Sequence, residues 1–148
     1  MSIASQLAQF AVETRPSDLP PLALERARMV IASTIASASM GHDIASSQVI
    51  REIVSDRGGR PEATLWFETG PKLPFADVAR VDARMSDAAA SDDRGLRNIA
   101  HIGTIVSTTS IATAERTGAS GRDVLAAMVV GYEVAGRIDE ALTPGRSE

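Results

Sequence analysis

Residues 20–41 read PPLALERARMVIASTIASASMG, and this stretch decides what kind of fold the chain adopts. Ser17 or Asp18 stands upstream as a capping residue, and Pro20 and Pro21 suit a first helical turn. Leu24, Ala27, Val30, Ile31, Ile35 and Ala38 then recur at three- and four-residue steps up to Gly41, the period of a helix face. From Ile31 to Met40 the residues are mostly small, and small side chains let a neighbouring helix approach closely. This helix is therefore predicted at the centre of a bundle.

Working outward, the same period recurs on both sides. Residues 3–14 place Ile3, Leu7, Phe10 and Ala11 on one side, with Pro16 as a stop. A third helix is expected over residues 44–56, burying Val49, Ile50 and Ile53 and ending at Gly58-Gly59. Residues 63–67, ATLWF, lie between Pro61 and Gly70-Pro71 and have β character. They read as one short strand or extended segment, which needs a partner such as Lys72-Leu73 or another chain. A fourth helix over about residues 75–89 carries Val78, Val81 and Met85, and a fifth over roughly 104–117 ends before Gly118. The sixth opens with Ser120-Gly121-Arg122-Asp123, a pattern like a capping box. Its apolar stripe of Val124, Leu125, Met128, Val129, Tyr132, Ala135 and Ile138 runs to about Leu142. The expected fold class is mainly α: a helical bundle over residues 1–148, either a single domain or the N-terminal fragment of a larger helical domain.

Composition narrows the function. With 44% hydrophobic and 23% charged residues in a chain of 148, a core can form without staples, and disorder is not expected. There is no cysteine, which excludes disulfides, thiolate metal sites and a cysteine nucleophile. A net charge of -4 and a pI near 5.2 remove the electrostatic footprint of a nucleic-acid binder. Residues 29–40, the longest apolar stretch between charged side chains, fall short of a membrane span, and the N-terminus has no basic n-region. A cytoplasmic protein is the expectation. All basic residues except Lys72 are arginines, which suit the binding of carboxylates.

Nucleophile elbows, P-loops, H-E-x-x-H and a strand-linked G-x-G-x-x-G are all missing from the sequence. Gly118-Ala119-Ser120-Gly121 looks superficially like a phosphate loop, yet it lacks the lysine and is explained as a helix stop followed by a helix start. Of the two histidines, His42 sits where a helix C-terminus offers exposed carbonyls and is read as a cap. His101 follows Asp92, Asp93, Arg94, Arg97 and Asn98, a setting that places a proton-transfer group beside groups able to bind carboxylates. The same residues also make an ordinary solvated loop. No metal site and no cofactor are expected.

Several separated segments together resemble one family. They are Leu19-Pro20-Pro21 with Glu25-Arg26-Ala27-Arg28, Gly58-Gly59-Arg60-Pro61-Glu62-Ala63-Thr64, Leu73-Pro74, Asp92-Asp93 followed by His101-Ile102-Gly103, and Gly118-Ala119-Ser120-Gly121 leading to Gly131-Tyr132-Glu133-Val134-Ala135-Gly136-Arg137-Ile138. In this order and spacing they are similar to the N-terminal part of the MmgE/PrpD family, which includes 2-methylcitrate dehydratase, cis-aconitate decarboxylase and iminodisuccinate epimerase. The resemblance implies a large helical domain, usually in a homodimer, and cofactor-free elimination, decarboxylation or epimerisation of a small polycarboxylate. It also implies an active-site role for the segment matching Asp92 to Gly103. Ala90 stands where the family's first aspartate falls, Arg94 replaces Thr or Tyr, and Ile102 replaces proline, which suggests a subgroup with a different substrate. Family members continue into further helices and a lid, so the chain resembles an N-terminal piece whose later helices expose apolar surface.

The resulting expectation is part of a lyase or isomerase that moves a proton next to a carboxylate. His101 is the acid/base or charge stabiliser, Asp92 or Asp93 orients it or contacts a substrate hydroxyl, and Arg94, Arg97 and Asn98 hold substrate carboxylates. The rival expectation is a noncatalytic helical interaction module, either a truncated relative or one subunit of a split enzyme. Partners on these readings are a small polycarboxylate and a second copy or complementing chain, with neither nucleic acid nor membrane.

Overall fold

A computed structural model describes residues 1–93 and 99–142. Six α-helices form it: α1 (Ile3–Glu13), α2 (Pro21–Gly41), α3 (Ala45–Arg57), α4 (Phe75–Ala88), α5 (Ile102–Thr117) and α6 (Gly121–Leu142). The fold is mainly α, as the sequence period requires. Packing is tightest where α4 lies between α2 and α5; α6 covers α5 and α2, α3 packs on α4, and α1 rests on α6.

Of the small residues of α2, Thr34, Ser37, Ala38 and Gly41 are buried, whereas Ala32, Ser33, Ala36 and Ser39 are exposed, as is Ile35 of the expected apolar face. A Cβ added at Gly41 would lie 1.9 Å from the Met85 carbonyl oxygen, so glycine is what permits the close crossing of α2 and α4. Val78, Val81 and Met85 of α4 are buried in the core with Ala38, Val54, Ala63, Leu65, Leu73 and Ala112.

Two local expectations are corrected, and for residues 63–67 the extended-segment alternative holds rather than the strand. In α3 the inward face is Ser47, Ile50 and Val54, while Val49 and Ile53 are 56% and 58% exposed. The helix carries two adjacent apolar stripes, and the one with the small Ser47 fits against α4. Neither Ser17 nor Asp18 caps α2; they form their own turn, Pro16–Asp18, where the Asp18 carboxylate accepts from the Arg15 amide at 3.0 Å. Residues 63–67 make a single antiparallel bridge, Ala63 with Leu73, the nearby partner anticipated, but no strand forms among the described residues. Phe67 has φ 65°, which ends the extension, and carboxylates from α4 and α5 take the amides a strand would have paired.

At the other boundaries the sequence signals hold. The amide and hydroxyl of Ser120 both donate to Asp123 Oδ2, and the Asp123 amide donates to Ser120 Oγ at 3.3 Å, completing the box that opens α6. Those bonds also hold the Asp123 carboxyl below the usual range. Among the described residues, no helix is long and apolar enough to cross a membrane.

Candidate functional site

The helix α4 ends at Ala88, and the chain turns through Ala90, whose φ of 50° is left-handed. The next three residues are each tied to a different helix. Ser91 Oγ lies 2.6 Å from Ser37 Oγ on α2, Asp92 meets α5, and Asp93 meets α6. No run of secondary structure is needed to place this segment, because the hydrogen bonds of its side chains do so.

Asp92 is the centre of the arrangement. Its side chain is 1% exposed, and Oδ2 accepts from His101 Nδ1 at 2.6 Å and from Thr104 Oγ1 at 2.8 Å. Thr104 lies one turn after His101 on α5, so both donors come from one helix end. Because the Thr104 proton goes to the carboxylate, its oxygen accepts from Ser86 Oγ at 2.9 Å, and Ser86 is completely buried. Ser37 Oγ in turn donates to the Ser86 carbonyl at 3.0 Å. A chain of buried hydroxyls thus backs the carboxylate, and a buried charge is tolerable only with such partners.

His101 is the N-cap residue of α5, its side chain is 26% exposed, and its Nδ1 is bonded to the buried Asp92 carboxylate. A carboxylate on Nδ1–H selects one tautomer and assigns proton exchange to Nε2. Asp87, on the last turn of α4, stands 3.7 Å from Nδ1 and pairs with Arg84 at 2.7 Å. The ligand atoms of Asp87, Asp92 and His101 lie within 4.8 Å of one another, the spacing a small cation would need. However, 2.6 Å between His101 and Asp92 is a hydrogen-bond length, shorter than the roughly 3.3 Å separating two ligand atoms on a tetrahedral ion with bonds near 2.0 Å. The geometry is that of a carboxylate-imidazole pair.

Asp93 does not share this work. Its Oδ2 accepts from Tyr132 Oη at 2.8 Å, and its Oδ1 is buried without a hydrogen-bond partner among the described residues. A Cβ at residue 103 would lie 1.8 Å from that Oδ1, so the Asp93 carboxylate occupies the space that Gly103 leaves at the start of α5. Burial, together with the Asp93 carboxylate, pushes the Tyr132 phenol up to about 12, and it remains a donor throughout the physiological range. The two consecutive aspartates of the sequence therefore serve different helices, and only Asp92 joins His101. Arg94, Arg97 and Asn98 lie outside the described residues.

His42 is the C-cap residue of α2, but among the described residues its ring pairs with carboxylates rather than with helix carbonyls. Its Nδ1 lies 2.7 Å from Asp43 and its Nε2 3.0 Å from Glu68, while Arg51 donates to the His42 carbonyl at 3.1 Å and so supplies the cap. Sequence reasoning missed Thr104, Ser86, Tyr132 and Asp139. Thr104 had a signal in its three-residue spacing from His101; Tyr132 was hidden in an apolar stripe, where its ring belongs and its hydroxyl does not.

The chain matches the family model for the MmgE/PrpD N-terminal domain over residues 5–148. No curated protein and no solved structure matches it.

Proposed function

For a chain that belongs to the MmgE/PrpD N-terminal domain family, we propose a role in a cofactor-independent lyase or isomerase acting on a small di- or tricarboxylate. The observation that carries this reading is the buried Asp92 carboxylate gripping His101 Nδ1 at 2.6 Å. An imidazole fixed in this way exchanges protons through Nε2, and the carboxylate stabilises the imidazolium after a proton is taken from carbon next to a substrate carboxylate. Asp92 orients and stabilises, with Thr104 fixing the carboxylate. Asp93 supports the loop through Tyr132. Arg94, Arg97 and Asn98 supply guanidinium and amide donors for substrate carboxylates on the strength of their residue types. A cytoplasmic homodimer is part of the proposal.

Solvent deuterium exchange into a panel of di- and tricarboxylates tests the reading. His101→Ala is expected to reduce exchange by about 100-fold or more, the usual contribution of general acid-base catalysis, with an unchanged circular dichroism spectrum. An unaltered rate in that variant would remove His101 from the mechanism.

A second reading has its own support, since Ile138 and Leu142 at the end of α6 are 48% and 71% exposed, with Val49 and Ile53 open on α3. A helical module that works against another polypeptide, in a split enzyme or as a noncatalytic partner, would use such surface. Exchange that appears only when a complementing chain is added favours the split enzyme. Exchange by the chain alone removes this second reading.

A further inference from the structure

Resting on the reading that Asp92 and His101 are the working pair, we propose that α6 positions it. Tyr132 and Asp139 hold Asp93 on one side and Ile99 and Ala100 on the other, and thereby keep His101 Nδ1 on Asp92. Tyr132 Oη donates to Asp93 at 2.8 Å. Asp139 Oδ2 accepts from the Ile99 amide at 2.7 Å and the Ala100 amide at 3.0 Å. Seven residues separate Tyr132 from Asp139, about two turns, so they share one face of α6 and stand roughly 10 Å apart along its axis.

The division of labour follows from where each bond falls. Asp93 is the residue after Asp92, and its carboxylate is trapped between Tyr132 and the bare Gly103, which restricts how far the Asp92 backbone can swing. Ile99 and Ala100 immediately precede His101, so the two amide bonds to Asp139 fix the chain as it enters the N-cap of α5. The Asp139 charge also lies near the positive end of the α5 dipole, which strengthens both bonds. Asp92 lies before residue 94 and His101 after residue 98, nine positions apart in the chain, so their meeting is secured when the residues beside each are held from one rigid body. α6 is the element that reaches both, and a site preorganised on a helix keeps its geometry better than one left to a loop. Tyr132 and Asp139 are positioning residues that act through Asp92 and His101.

The test reads the His101 ring directly, by its 15N spectrum in the 148-residue chain, which distinguishes the two tautomers and does not depend on turnover. Wild type is expected to show a single Nδ1–H tautomer. Tyr132→Phe and Asp139→Ala are each expected to give a mixture, and amide exchange at Ile99 and Ala100 should accelerate about tenfold or more in Asp139→Ala, as the loss of a charge-assisted bond implies. Asp139→Asn retains an acceptor oxygen and is expected to restore the single tautomer. Glu133→Gln, an exposed position on another face of α6, serves as the control and should leave the ring unchanged. Should Tyr132→Phe fail to fold, the Asp139 pair carries the test, because that side chain adds no ring to the core. A wild-type tautomer retained in both Tyr132→Phe and Asp139→Ala overturns the proposal. Tautomer mixing in these variants, with no deuterium exchange by any form of the chain, upholds the positioning role and overturns the catalytic reading.

Discussion

The two connections that flank α4 are both held by carboxylates, but their buried acids take different partners. Between α3 and α4, helices lend their acids to the loop: Glu115 of α5 accepts from the Thr64 amide and hydroxyl and from Lys72, and Asp82 of α4 accepts from the Trp66 amide. Glu62 within that connection accepts from the Phe75 amide that opens α4. Between α4 and α5, Asp139 of α6 likewise accepts from the Ile99 and Ala100 amides, but Asp92 and Asp93 of the connection itself receive His101 and Tyr132, side chains that themselves titrate. The first connection also has an imidazole on a carboxylate, His42 on Glu68, but Glu68 is 34% exposed and shared with Arg51. Asp92, by contrast, is 1% exposed and receives its imidazole with hydroxyl support, the setting in which a proton can be moved.

The sharpest way to separate the two is pH. Asp82 is 1% exposed, and burial raises it from 3.8 to about 8, offset in part by the Trp66 amide and reinforced by the Glu115 charge. The folded chain therefore holds this proton more tightly than the unfolded one, so the contribution of Asp82 to stability is fully present below pH 3.8 and is lost progressively as pH rises to about 8. Asp82→Asn keeps an acceptor for Trp66 and removes that loss. Its Tm should sit near wild type at pH 4 and rise above it by an increasing margin up to about pH 8. A constant difference across that window would show that Asp82 ionises as readily inside as outside.

Glu115→Ala strands the Thr64 amide and leaves Lys72 without its carboxylate. A loss of about 2–3 kcal/mol in denaturant unfolding is expected, with the His101 ring spectrum unchanged, since the scaffold connection does not touch the pair. Gly103→Ala acts on the other connection. The new methyl collides with the Asp93 carboxylate and must displace it from Tyr132, so a loss of about 1–3 kcal/mol should be accompanied by a disturbed His101 ring. If the two variants produced the same spectrum, the contrast between the connections would fail. The smallest effect is expected at Ala90, where φ is 50°; Ala90→Gly relieves a left-handed alanine and should stabilise the chain by about 1 kcal/mol or less in the same unfolding assay.

Helices were the legible part because their signal is repeated: one misread residue among six or seven periodic ones does not move the element. The small-residue half of α2, the prolines before it and the box at Ser120 all lay where the pattern placed them. The error in α3 arose because Val49 and Ile53 satisfy the same period as Ile50 and Val54, displaced by one position, and periodicity alone does not rank two adjacent stripes. The site was half legible. His101 and an aspartate of the preceding pair could be seen, but the separation of Asp92 from Asp93 could not, because neighbouring residues outside a helix or strand point wherever their partners stand.

Local chemistry thus settles the helical class, the ends of most elements, the absence of thiol chemistry and the candidacy of His101, since each depends on residues within a few turns of one another. Long-range packing settles which aspartate the histidine receives, which hydroxyls support it and how Asp139, forty residues beyond Ile99, comes to hold the backbone that presents it. Those contacts join α4, α5, α6 and the residues on either side of 94–98, and their partners are chosen by the way three helices pack rather than by any spacing along the chain.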